Sequence, residues 1–202
     1  MEPRERVIMK SIELFTLNGI RSVTMDHIAL ELGMSKRTIY ELFKDKDTLV
    51  LESLETMHTL YMEELTGVLA GATNAIEALY MLSQHGEKKK ASTNRLFLED
   101  LRKIYPNIWK TLQQRIRPGQ GSLSCTLLKQ GIEEGIFRED INLDIVDTFI
   151  HNMMETFHNK ELYPPNTTDL DLVRNIIIPY YKGISTERGQ MLIDQYFPFK
   201  TL

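Results

Sequence analysis

At 202 residues, with 42% hydrophobic and 26% charged side chains, the chain can bury a substantial core, which excludes wholesale disorder. A net charge of −4 excludes a protein that coats nucleic acid by charge alone, because such binding neutralises many phosphates. No apolar run is long enough to span a bilayer and the segment MEPRERVIMK lacks the features of a secretory signal, so a cytoplasmic location is expected; the single cysteine, Cys125, suits a reducing compartment and reads as a small core residue.

Apolar residues recur three and four apart nearly throughout, and no alternating segment is bounded by turn residues, so an all-α fold is expected. The first helix starts near Pro3, with Glu2 and Glu5 at its positive end. Ile8, Ile12 and Phe15, supported by Val7, Ser11 and Leu14, form its buried stripe. Asn18-Gly19 ends it through a left-handed cap, with Ile20 folding back as the hydrophobic contact. Thr24 caps a second, short helix from Met25 to Leu32 that turns Ile28, Ala29 and Leu32 inward, and Gly33 stops it. Ser35 caps a third helix running to about Phe43. Two short helices joined by so brief a turn cross steeply, which is the helix-turn-helix arrangement.

Asp45-Lys46-Asp47 opens a fourth helix whose stripe, Val50, Leu54, Met57, Tyr61, Leu65 and Val68, continues to about Ala70. At about 1.5 Å per residue it spans roughly 35–40 Å and reads as a connector between two modules. Further helices are expected at 74–90, 93–104, 106–117, 122–134, 143–162, 168–182 and 186–196, with Pro179 kinking or shortening the one it occupies. Gly71, residues 117–121, Gly135, Pro164-Pro165 and Gly183 separate them, and there is no internal repeat.

The charge of the first fifty residues sums to zero, but within Ser35–Lys46 four basic residues face two acidic ones. On a helical wheel of the third helix, Lys36, Arg37, Tyr40, Glu41 and Lys44 share one side, and Ile39, Leu42 and Phe43 the other. One face is core and the other is available to DNA, whose major groove admits a helix and presents base edges to side chains near its N-terminus. Lys36 and Arg37 sit at that end, and the forked guanidinium of Arg37 is the first choice to pair with guanine O6 and N7. Tyr40, Thr24 and Thr38 offer hydroxyls to phosphates, Lys44 extends the basic face, and Lys46, beside the amides that open the fourth helix, can grip the backbone. Glu41 either accepts from cytosine N4 or sits in solvent beside Arg37 or Lys44. An ordinary helical hairpin with a solvated face would explain the charge. It would not explain two short capped helices, the Gly33 turn and an aromatic hydroxyl together.

The run from Thr24 to Leu49, TMDHIALELGMSKRTIYELFKDKDTL, resembles the DNA-binding signature of the TetR/AcrR (tetracycline repressor-like) family, as does the preceding helix with Phe15 and Asn18-Gly19. Tyr105-Pro106-Asn107-Ile108-Trp109 and the segment from Gly131 to Arg138 are similar to stretches of family ligand domains, whereas Pro118, Gly119 and Gly121 fall where a related protein would continue a long helix. The resemblance implies a DNA-binding domain over residues 1–47, with its helix-turn-helix at about 25–43, and a helical effector-binding and dimerisation domain over 48–202. It also implies a homodimer built on the last two long helices, a ligand cavity in each subunit, and a transcriptional repressor released from its operator by a small molecule. Neither enzyme activity nor a cofactor is expected.

Two apolar stripes, Ile145, Phe149, Met153 and Phe157 on one helix and Val173, Ile176, Ile177 and Tyr180 on another, suffice for a core or a subunit interface. Two-fold pairing would demand a palindromic operator with half-sites a whole number of helical turns apart. Tyr80, His85, Phe97, Tyr105, Trp109, Met153, Met154 and Phe157 supply surface suited to a ligand cavity. His151, Glu155 and His158 have the spacing to converge on a metal, but no further His or Cys completes a set, and a polar flank of the stripe is the preferred reading. The glycines near 117–122 lack the preceding strand of a phosphate loop. The sequence contains no nucleophile elbow, kinase set or HExxH motif, so an enzyme is the lesser alternative; the other is a DNA-binding regulator controlled by a partner rather than a ligand.

Overall fold

The computed structural model describes residues 2–92, 94–115, 119, 121–157 and 162–198. Among these, the only β pairing is one isolated bridge between Phe137 and Ser185, and the rest of the regular structure is helical. No helix of the described residues is long and apolar enough to cross a membrane.

Helix α1 (Pro3–Asn18) opens with proline in its first turn, where a missing N–H costs nothing. It ends at Gly19, which is not the left-handed cap expected: φ is positive at 82°, but ψ is extended at 154°. A Cβ at Gly19 would lie 3.0 Å from Asp100 Oδ2 and 3.1 Å from Leu96 Cβ, so both the dihedral and the crowding require glycine. Helix α2 (Met25–Leu32) is capped by Thr24, whose hydroxyl oxygen accepts the His27 N–H, and is stopped by Gly33 in the left-handed region. Helix α3 (Lys36–Leu42) is capped by Ser35, which accepts the Thr38 N–H. It ends sooner than expected because Phe43 turns extended and drives its ring into the core, leaving Lys44 beyond the helix. Asp45 Oδ1 accepts the Thr48 N–H at 2.8 Å and so caps α4 (Lys46–Leu69).

Then come α5 (Ala75–Ser92), α6 (Arg95–Lys103), α7 (Pro106–Arg115), α8 (Leu123–Glu133) and α9 (Leu143–Phe157). The helix expected over 168–182 is interrupted. Thr168 and Asp171 form a capping box for α10 (Asp169–Leu172), a π-helical stretch occupies Val173–Ile177, and α11 (Ile178–Gly183) follows. Pro179 cannot donate to the carbonyl four residues back, and the turn before it widens so that the Ile178 N–H reaches the Val173 carbonyl. The chain closes with α12 (Glu187–Tyr196).

The chain forms two compact units, one of Met1–Gly67 with His85–Ile116, the other of Val68–Gln84 with Arg117–Leu202. These units do not follow a single cut after residue 47. In the first, Phe97 and Leu101 of α6 and Leu112 of α7 join Val7, Phe15, Ile28, Ile39 and Leu49 in one core. Asn94, the cap of α6, donates from its side chain to the Leu17 carbonyl, and Asp100 accepts the Arg21 N–H at 2.7 Å. The turn between α1 and α2 is therefore held by α6.

In the second unit, Ile76, Leu128, Ile136, Phe137, Val146, Ile150, Met153, Ile178, Tyr181 and Ile193 share a core. Its tightest contact is at Gly189 on α12, where a Cβ would lie 2.2 Å from the Ile136 carbonyl oxygen. The same strip is fixed by the Thr186 N–H on the Ile136 carbonyl at 2.9 Å and the Arg138 N–H on the Ile184 carbonyl at 3.0 Å. Asp147 on α9 is buried but satisfied: it accepts from the Gly119 N–H at 2.7 Å, the Ser122 hydroxyl at 3.0 Å and the Ser124 hydroxyl.

Candidate nucleic-acid interface

Helix α3 buries Ile39 and half-buries Leu42, while Lys36, Arg37, Tyr40 and Glu41 are exposed on its other side. This is the amphipathic division the wheel requires. The short link through Gly33 allows α3 to leave α2 steeply, and Ser35 leaves its first turn open to solvent, with Lys36 and Arg37 upon it.

Both of those cations have acidic partners within the protein. The Lys36 ammonium lies 2.9 Å from Asp26 on α2, and this contact holds it above the usual lysine range. It also stands 5.9 Å from the centre of the Tyr40 ring. The Arg37 Nε donates to Glu41 one turn on, at 2.7 Å. Thr24 and Thr38 take part in capping: Thr24 accepts the His27 N–H, and the Thr38 hydroxyl bonds with that of Ser35 at 2.8 Å. Lys44 is exposed, but in the loop after α3 rather than on the helix where the wheel placed it.

Lys46 is placed differently from its expected role. Its Nζ donates to the Ile20 carbonyl at 2.7 Å, tying the start of α4 to the turn between α1 and α2. Burial pushes its ammonium below the ordinary lysine value, against the opposing charges of Asp100 and Asp47. Arg4 is a residue the sequence did not single out. It donates to the Leu42 carbonyl at 2.5 Å and to Glu52 at 2.7 Å, and its guanidinium lies 4.4 Å from the Phe43 ring centre. A cation on the last carbonyls of α3 suits the negative end of that helix and fixes how it leaves the core. Nothing local marks Arg4, because its partners lie about forty residues away.

The eight side chains expected to line a ligand cavity divide between the two units. Phe97 is buried in the first core, and Tyr105 and Trp109 pack against it. His85 also belongs to the first unit, its Nε2 3.4 Å from Glu64 and its ring 5.8 Å from that of Tyr61. Tyr80 belongs to the second, against the rings of Tyr196 and Phe197. Met153 is buried in that core and Met154 packs against it, with Phe157 half-buried on the same helix. Of the metal candidates, His151 is half-buried on α9, while His158 and the Glu155 side chain lie outside the described residues.

Residues 8–53 match the family model for bacterial regulatory proteins, tetR family. Among curated proteins, the chain is 26% identical over 167 residues to the HTH-type transcriptional repressor KstR2 of Mycobacterium tuberculosis, covering 74% of this chain and 76% of that one. Among solved structures, a transcriptional regulator from Cytophaga hutchinsonii aligns with a TM-score of 0.66 at 19% identity, covering 90% of this chain and 98% of the other. The fatty acid degradation regulator FadR from Bacillus halodurans aligns with a TM-score of 0.62 at 18% identity, over 93% and 97%.

Proposed function

We propose that this chain is a DNA-binding transcriptional regulator of the TetR family rather than an enzyme, and that it is a homodimeric repressor that leaves its operator when a small molecule binds. The observation that carries this reading is α3: a short capped helix, apolar toward the core and cationic toward solvent, set after an equally short helix by a left-handed glycine.

In this reading residues 1–47 are the reading head. Arg37 pairs with a guanine in the major groove and Lys36 supports it; Tyr40, Thr24, Thr38 and Lys44 contact phosphates. Lys46 meets the backbone only if its ammonium can serve the Ile20 carbonyl and a phosphate together, which three donors allow. Residues 48–202 carry effector binding and dimerisation, with the effector taken up by aromatic and methionine side chains beyond α4. The dimer forms through α9 and the segment around α11, where Ile145 and Phe149 are 67% and 48% exposed and Ile176 also faces solvent. The Phe149 and Tyr180 rings lie there with centres 4.7 Å apart and planes tilted by 35°, beside a shallow concavity lined by Asp144, Ile145, Thr148, Phe149 and Asn152. Large apolar side chains left in water on adjacent helices suit a two-fold partner. A DNA ligand places the protein in the cytoplasm. Effector binding favours a state that docks poorly on DNA, with no damage to the reading head.

Selection of the purified protein on a randomised duplex library tests this. Enrichment of an inverted repeat, with half-sites spaced by about one helical turn of ~10 base pairs or a multiple, is the expected result. A strictly monomeric protein, or one with no preference over random competitor, would overturn it.

A further inference from the structure

Glu41 sits on the reading face, where a carboxylate repels the phosphates that its neighbours are meant to attract. Its only described hydrogen bond is the one it accepts from Arg37 Nε. The Arg37 side chain is 88% exposed and that of Glu41 60%, and an exposed pair one turn apart adds little to the stability of a fold. The pair is therefore poorly explained as a structural brace.

Its geometry has another use. A guanidinium presents five N–H groups in a plane, and engaging it at Nε leaves the two terminal nitrogens, the fork that matches guanine O6 and N7, still available. Without Glu41, a long flexible side chain at the start of α3 has phosphates as its nearest anions and would settle on them, gaining charge contact and losing base reading. As DNA covers the face and excludes water, the pair strengthens rather than dissolves.

We propose that Glu41 is a positioning residue for sequence reading: it holds Arg37 by Nε so that its terminal fork faces a base rather than the sugar-phosphate backbone. This rests on Arg37 being a base reader.

The test uses the duplex selected from the randomised library and a panel of its single base-pair variants, with fluorescence anisotropy at several salt concentrations. Arg37→Ala should lower discrimination at one base pair by about tenfold. Glu41→Ala should lower it at that same pair by roughly threefold to tenfold, bind random DNA at least as tightly as the parent, and steepen the salt slope by about one unit. The double variant should be no less discriminating than Arg37→Ala alone. Glu41→Gln, whose amide oxygen can still accept from Nε, should keep part of the discrimination, and thermal melts should be unchanged throughout. If Arg37→Ala relaxes one pair while Glu41→Ala relaxes none, or relaxes a different pair because Glu41 reads cytosine itself, the positioning role falls and the Arg37 assignment survives. If Arg37→Ala relaxes no pair, both fall.

Discussion

Lys46 illustrates how a side chain proposed for recognition can already be engaged in the fold. Its Nζ closes the α1–α2 turn onto α4 through the Ile20 carbonyl, and burial holds its ammonium below the ordinary lysine value. Replacing it by alanine leaves that carbonyl without its lysine donor and should destabilise the first unit by about 1 kcal/mol, once solvent access is allowed for. Denaturant melts without DNA will show this, whereas Tyr40→Phe should leave the melt unchanged and weaken binding to all sequences alike. Asp45 carries a pH dependence of its own. The Thr48 hydroxyl and then its N–H hold the carboxyl below the usual aspartate range. A depressed folded value means the stabilisation is present above the unfolded pKa and fades as pH falls through the folded one. Asp45→Asn should therefore flatten part of the acid limb of a stability profile measured by urea melts between neutral pH and the carboxylate range.

At the scale of elements, close backbone contacts decide more than propensity does. Gly189 lets α12 lie against the Ile136 carbonyl, 2.2 Å from where a Cβ would stand. The obstacle is backbone and cannot rotate away, so Gly189→Ala should cost roughly 2–4 kcal/mol and lower the melting temperature of the second unit. Hydrogen exchange should then show α12 opening while α1–α3 stay protected; uniform loss across both units would contradict this assignment. The π turn before Pro179 has a similar origin. A proline three-quarters of the way along a helical pattern removes one donor, and the chain widens a turn instead of ending the helix.

For the whole molecule, the exposed face of α9 makes oligomeric state and DNA affinity one question. Phe149→Glu places a charge among Ile145, Ile176 and Tyr180 and should yield a folded monomer by light scattering, with operator affinity falling by about tenfold or more as two-point attachment is lost. A Phe149→Glu dimer that binds as tightly as the parent would remove α9 from the interface. The proposed effector and operator would be bound by linkage as well. If an effector weakens DNA binding by a given factor, operator DNA must weaken effector binding by the same factor, which titration with and without duplex measures directly.

Much of the fold was legible because its signals act within one turn of helix. Thr24 and Ser35 cap their own helices, Gly33 adopts the left-handed stop, and the three-to-four spacing of Ile28, Ala29 and Leu32 names the buried side. The basic face of α3 was legible for the same reason. Tertiary structure alone decided that Phe97, Tyr105 and Trp109 serve the core of the first unit, and that Arg4 and Lys46 close onto distant carbonyls. An apolar stripe announces that it will be buried but not against what, since its partner depends on where the chain has travelled in between. A charged side chain with several anions in reach is settled only when the backbone sets the distances.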